Sequence, residues 1–249
     1  MDVSANEPPI GQVQRERAAR AEHTYAAAAD HYLLPALGFW DRWGAETVAR
    51  LSLSPGDRVL DVCCGAGASA LPAARAVGPT GSVLGLDLAK PLLALARERA
   101  ATLGLRNVSF RECDATATGL ESSSFDAVVC VFGVFFAADM PGFVAEMWRH
   151  VRPGGTLAIT TWGRAWCEPA SGVFWESVRA LEPTLFRAFN PWDEITTAPA
   201  LTDLLARSGI TGATVAPLTP PRESSSASAA SVVISSQGLN ALNNVGSSS

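Results

Sequence analysis

From Arg58 to Trp162 the chain alternates short, nearly unbroken apolar runs with longer stretches of helix-favouring residues. The runs are RVLDVC, SVLGLD, VSFRECD, FDAVVCVF and GTLAITTW, and between them lie GASALPAARAVG, KPLLALARERAATLG and MPGFVAEMWRHV. Strands covered on both faces read as continuous apolar runs, and strand–helix alternation builds βαβ crossovers. The pattern therefore predicts an α/β fold with a doubly wound, mostly parallel sheet. Upstream, Arg15 to Asp30 is alanine-rich and favours helix, the aromatic stretch HYLLPALGFWDRW follows, and a second helical run reaches about Leu51 before the turn residues SPGD. Downstream, helices are expected over Ser171 to Leu181 and Pro199 to Ser208, and a strand over 213–218. Beyond Pro221 the chain is mostly Ser, Ala and Asn, too poor in apolar residues to offset the entropy of ordering. The expected organisation is a flexible leader over 1–14, a helical lid over 15–54, a core over 55–221 and a flexible tail over 222–249. Within that tail SVVIS is the one candidate strand, and without it the sheet's final edge is incomplete.

Composition narrows the function classes. A chain of 249 residues with 48% hydrophobic content can bury a full core. A formal charge of -5, with Lys90 the single lysine, disfavours tracking of nucleic-acid phosphates, and the scattered arginines form no polybasic patch for a membrane surface. The five cysteines include no CxxC pair, so neither a disulfide framework nor a metal site is expected. The first residues lack the basic start and apolar stretch of a secretory signal, and no run is long and apolar enough for a bilayer, so a cytoplasmic protein is expected.

The chemistry-bearing segment is VLDVCCGAGASA, a strand running into a glycine-rich turn that opens a helix. Gly65, Gly67 and Ala70 satisfy G-x-G-x-x-A, and Asp87 follows at the distance expected of a ribose-binding acid, which also fits a dinucleotide fingerprint. Charge separates the readings. A dinucleotide brings a pyrophosphate to this turn, whereas S-adenosylmethionine (SAM) brings an ammonium and a sulfonium. Asp61, at the end of the first strand, would repel the former and help hold the latter. Asp87 and Asp114 close the next two β-α units, so three acids line one sheet edge and favour an adenosyl ligand without phosphates. Asp87 has acceptors for both ribose hydroxyls, Asp114 one for an adenine amino group beside the Ala115 N–H, and Leu88 an apolar face for the base. Cys130 and Val131, ending the fourth strand, offer backbone carbonyls to an ammonium, and Gly133 keeps that wall close. Structural alternatives stand beside these: Asp87 as a helix cap, Asp114 as a turn carboxylate, and Cys63 and Cys64 as small packing residues. His150 reads as a helix C-terminal residue complementing the dipole.

The segments VLDVCCGAG, LGLDLAKPLLALA, RECDAT, FDAVVCVFG and RPGGTLAITTW, in this order, resemble the class I SAM-dependent methyltransferases, particularly the small-molecule branch that includes the ubiquinone/menaquinone C-methyltransferases. The resemblance covers about Thr24 to Leu218. It implies a Rossmann-like sheet of seven strands whose last pair is antiparallel, an N-terminal helical lid, and methyl transfer to the O, N or C of a small, apolar or aromatic molecule. Its loop usually reads D-x-G-C-G-x-G, and here Cys63 replaces the first glycine. The segment VFGVFFAAD departs from the quinone enzymes and sets a quinone acceptor apart. Among the lid aromatics and those after the fifth strand, Tyr32, Trp40 and Trp162 are the substrate-facing candidates, with Trp166 on the same side. No catalytic residue is singled out. A SAM-binding protein without activity and a nucleotide-dependent oxidoreductase are the alternatives.

Overall fold

The computed structural model describes residues 9–164, 168–185, 190–218 and the backbone of 229–235. Five parallel strands, β1 (Arg58–Val62), β2 (Ser82–Asp87), β3 (Val108–Glu112), β4 (Phe125–Val131) and β5 (Val151–Trp162), are followed by β6 (Thr214–Leu218) and β7 (Ala229–Ser235) in one sheet of order β3-β2-β1-β4-β5-β7-β6. β7 runs antiparallel to both β5 and β6. This is the Rossmann-like arrangement of class I methyltransferases. The order reverses between β1 and β4, and a crevice opens at the strand ends there.

Alternation along β1 explains the two cores. Leu60 and Val62 face one layer with Val128, Cys130, Leu157 and Ile159, covered by α5 (Met140–His150) and α7 (Ala198–Arg207). Val59 faces the other with Val83, Ala127, Val129 and Ala158, covered by α3 (Ala70–Val77). The small Ala70, Ala73 and Ala74 bring α3 close to the sheet. Helix α4 (Lys90–Thr102) follows β2, and α6 (Ala170–Leu181) follows β5.

Three expectations are corrected. Helix α1 spans Ile10–Ala27, so the leader assigned to 1–14 already contains its first turn. The segment Ala229–Ser235, placed in a flexible tail, is a strand, because it lies between two partners that satisfy its backbone on both sides. Helix α2 (Phe39–Val48), assigned to the lid, is built into the body: Trp43, Thr47 and Val48 are buried, and the Thr160 hydroxyl bonds that of Thr47 at 2.7 Å. His150 does end α5, but it is buried, and its ring lies 2.9 Å from the Thr118 hydroxyl and 3.1 Å from the Glu121 carbonyl. It pins the loop after β3.

Helix α2 touches the glycine-rich turn directly. A Cβ on Gly44 would come within 2.3 Å of the Ala68 carbonyl oxygen and 2.9 Å of the Ser69 nitrogen. Both contacts are backbone, so neither can swing aside. Gly44→Ala is expected to lower the unfolding free energy by about 1–3 kcal/mol through overpacking, measured by urea denaturation. An unchanged midpoint would show that the turn has room to retreat.

Candidate functional site

The turn after β1 is a chain of unusual backbone angles. Cys63 has φ +60°, Gly65 +51° and Gly67 +85°. The Gly67 N–H donates to the Cys64 carbonyl at 2.9 Å, and the Cys64 N–H to the Leu86 carbonyl at 2.9 Å, tying the turn to β2. Cys63 stands in a left-handed conformation that costs a residue with a Cβ about 1–2 kcal/mol. Its hydrogen bond with the Cys130 thiol, and then burial, push the Cys63 thiol well above its ordinary range, and burial does the same to Cys64. Both are protonated packing groups rather than nucleophiles.

Asp87 is the hinge of the site. One carboxylate oxygen accepts from the Gly65 N–H at 2.8 Å and the other from the Ala89 N–H at 2.9 Å. Burial raises its pKa, and the N–H groups of Ala89, Gly65 and Leu88 hold that rise in check. Each oxygen keeps a lone pair for a ligand. Asp114 turns one oxygen to Thr116, accepting from its N–H at 2.9 Å and its hydroxyl at 2.7 Å, while the other has no partner among the described residues.

Both acids line a cavity with about 110 Å³ for the centres of water-sized molecules, against ~10–15 Å³ needed by one water. Of the candidates named from the sequence, Tyr32, Trp40, Cys63, Gly65, Asp87, Leu88, Asp114, Ala115 and Val131 line it. Four do not. Gly67 packs on Leu71 and Ala96, and Cys130 is fully buried beside Cys63. Trp162 lies beneath Phe132, stacked with centroids 3.7 Å apart, because Phe132 with φ +56° swings across it. Asp61 is buried under the turn, where it accepts from the Ser69 hydroxyl at 2.7 Å, so Ser69 lines the cavity in its place. The other Asp61 oxygen has no partner among the described residues, and burial pushes this carboxyl up to about 7. Trp166 lies outside the described residues.

Sequence reasoning expected a helical lid but did not single out the residues of α1 that line the cavity. Gln14, Ala18, Ala21, Glu22 and Tyr25 form one face of α1 over the cavity. The helix buries no residue fully, but two of its side chains grip one peptide group: Gln14 accepts from the Ala138 N–H at 2.7 Å and Arg17 donates to the Ala137 carbonyl at 3.2 Å. Their helical spacing was visible, but the alanines gave no sign of what they face. Phe132, Phe136 and Phe143 complete the wall. Among the described residues no group of three or more His, Cys, Asp or Glu is placed to hold a metal ion, and no helix is long and apolar enough to cross a membrane.

Residues 59–155 match the family described as a methyltransferase domain. The chain is 37% identical over 115 residues to the demethylmenaquinone methyltransferase of Bacillus cytotoxicus, covering 46% of this chain and 48% of that protein. It is 41% identical over 106 residues to an aklanonic acid methyltransferase of a Streptomyces species, covering 43% and 48%. The chain thus spans about half the length of these curated relatives. A SAM-dependent methyltransferase structure from Aquifex aeolicus shares the fold, with TM-score 0.61 at 19% identity over 84% of this chain and 98% of that one. The fold is thus that of the class I methyltransferases. More narrowly, residues 59–155 carry a methyltransferase domain, and its cofactor is SAM. The residues present fit that group: Asp87 and Asp114 keep free acceptors in the cavity, and the orphaned Asp61 oxygen puts an acid beneath the turn without phosphate-binding charge.

Asp87→Ala removes these acceptors and is expected to weaken SAM binding by about 1.5–3 kcal/mol in calorimetry, while also releasing the Gly65 and Ala89 N–H groups. Undiminished affinity would place the ribose elsewhere. Asp61 makes stability depend on pH. The folded chain retains its proton up to about 7, whereas the unfolded chain releases it near the ordinary 3.8. Its contribution is therefore full at low pH, shrinks between those values and is constant above them. Asp61→Asn is expected to gain stability relative to the parent chain as pH rises through that window and to level off beyond it, as read by urea denaturation. A pH-independent difference would mean that the carboxylate is ionised throughout.

Proposed function

We propose that this chain transfers the methyl group of SAM to an O, N or C atom of a small, apolar or aromatic molecule. The observation that carries this reading is the mixed lining of the cavity, which joins Asp87, Leu88, Asp114 and Ala115 with the rings of Tyr25, Tyr32, Trp40, Phe132 and Phe136. The rings form a connected cluster. Tyr32 stacks on Trp40 at 5.7 Å and 7°, Trp40 meets Phe132 edge-on at 5.6 Å, and Tyr25 meets Phe136 edge-on at 5.6 Å. Such a wall excludes water and offers flat apolar surface to an acceptor.

The cofactor supplies an electrophilic methyl group on sulfur when bound. The chain's own contribution is alignment and desolvation: Asp87 and the turn hold one end of the ligand, and α1 covers part of the cavity. No Lys, Arg or His is among the described residues lining the cavity, so recognition of a strongly anionic acceptor has no counter-charge there. A demethylmenaquinone and an aklanonic acid enzyme among the relatives are in keeping with cyclic organic acceptors. Neither fixes the acceptor of this chain.

Calorimetry with SAM, S-adenosylhomocysteine and NAD, followed by a turnover screen of neutral aromatic and aliphatic acceptors, tests the reading. SAM and S-adenosylhomocysteine are expected to bind and NAD to fail. Tight NAD binding without SAM would overturn the assignment, and SAM binding with no turnover across the screen would leave a binding protein in place of an enzyme.

A further inference from the structure

Two tyrosine hydroxyls in the cavity have no task in the account so far. Tyr32 stands over the glycine-rich turn, its hydroxyl 3.4 Å from the position a Cβ would take on Gly65. Its ring is held by the stack on Trp40 and by an edge contact with Tyr25 at 6.4 Å. Tyr25 is held in turn by Phe136 and packs near Ala89 and Leu92. Both tyrosines line the same cavity as Asp87. Neither hydroxyl has a hydrogen-bond partner among the described residues. Burial pushes Tyr25 up to about 12 and Tyr32 higher still, so both keep their protons and remain donors.

The electrostatics of the lining say what such donors are for. The cavity contains Glu22, Asp87 and Asp114 but no Lys, Arg or His among its described residues. SAM carries one anionic group, the carboxylate of its methionine end. A carboxylate entering a site with three acids and no cation needs neutral donors to offset its desolvation. Asp87 and Asp114 take up the adenosine end at β2 and β3, so the methionine end runs over the turn beside Gly65, where the Tyr32 hydroxyl stands.

We infer that Tyr25 and Tyr32 together seat the carboxylate of the cofactor's methionine end, doing with two phenols what a salt bridge does elsewhere. Tyr32 thereby changes role, from acceptor contact to cofactor ligand. The inference rests on the SAM reading, and its test separates the two.

Tyr25→Phe, Tyr32→Phe and the double variant keep the rings and their packing while removing the hydroxyls. Titration calorimetry on the full chain would compare S-adenosylhomocysteine, which has the carboxylate, with 5′-methylthioadenosine, which keeps the adenosine and sulfur but lacks the amino-acid end. Each single variant is expected to weaken S-adenosylhomocysteine by about tenfold, as for loss of a hydrogen bond to a charged group, and to leave methylthioadenosine within about twofold. Equal weakening of both ligands would mean that the tyrosines act through packing or the adenosine, and no weakening of either would mean that the hydroxyls face something else. Both results overturn the inference. If the parent chain binds methylthioadenosine but not S-adenosylhomocysteine, the carboxylate has no seat and the inference fails while the adenosine site stands. If it binds neither, the SAM reading itself fails.

Discussion

The site depends on one carboxylate held between two elements. Asp87 sits at the last position of β2, and its two oxygens accept from Gly65 in the turn after β1 and from Ala89 at the head of α4. A turn containing three left-handed residues has little intrinsic preference for one shape, because each such residue adds strain or entropy cost. Two charge-assisted hydrogen bonds from a buried acceptor supply that preference. They also leave each Asp87 oxygen a lone pair in the cavity, so the group that shapes the turn is also available to bind.

Around this clasp the chain removes side-chain volume wherever backbone must approach backbone. Gly44 lets α2 press on Ala68 and Ser69, and Gly133 leaves space for the sulfurs of Cys63 and Cys130, which would lie 2.9 and 2.8 Å from a Cβ at that position. Cys63 occupies a position that glycine usually holds in the family its motifs resemble, and the contact with Cys130 gives its side chain a partner there. The buried Asp61 acts from beneath: by engaging the Ser69 hydroxyl it turns that side chain away from capping α3 and toward the turn.

The aromatic lining of the cavity is governed by packing rather than charge. Phe132, in a strained backbone conformation, lies flat on Trp162 and places its ring between the buried tryptophan and the cavity. Helix α1 closes the top with small residues and a grip on a single peptide group. The cavity thus combines acidic acceptors with a connected set of aromatic rings.

Much of this was legible in the order of residues alone. The period of apolar runs determined the parallel strands, because strands buried on both faces must be apolar throughout. The spacing of Asp61, Asp87 and Asp114 placed an acid at or just beyond the end of each of the first three strands, because a parallel sheet brings those ends to one edge, although no helix follows β3 as the spacing suggested. What the sequence could not show was depth and direction. Whether an acid at a strand end faces the cavity or the floor beneath it turns on how the following loop folds back, and only the tertiary structure put Asp61 below Ser69 and Asp87 in the cavity lining. The same holds for β7, whose short run becomes a strand only between two partners, and for Tyr32 and Trp162, whose roles follow from which neighbour each ring meets. Local pattern set the elements, since backbone hydrogen bonding and burial act at fixed periods. Long-range packing decided the site, since it is made of contacts between residues up to 124 positions apart, as in the bond from the Ala138 N–H to Gln14.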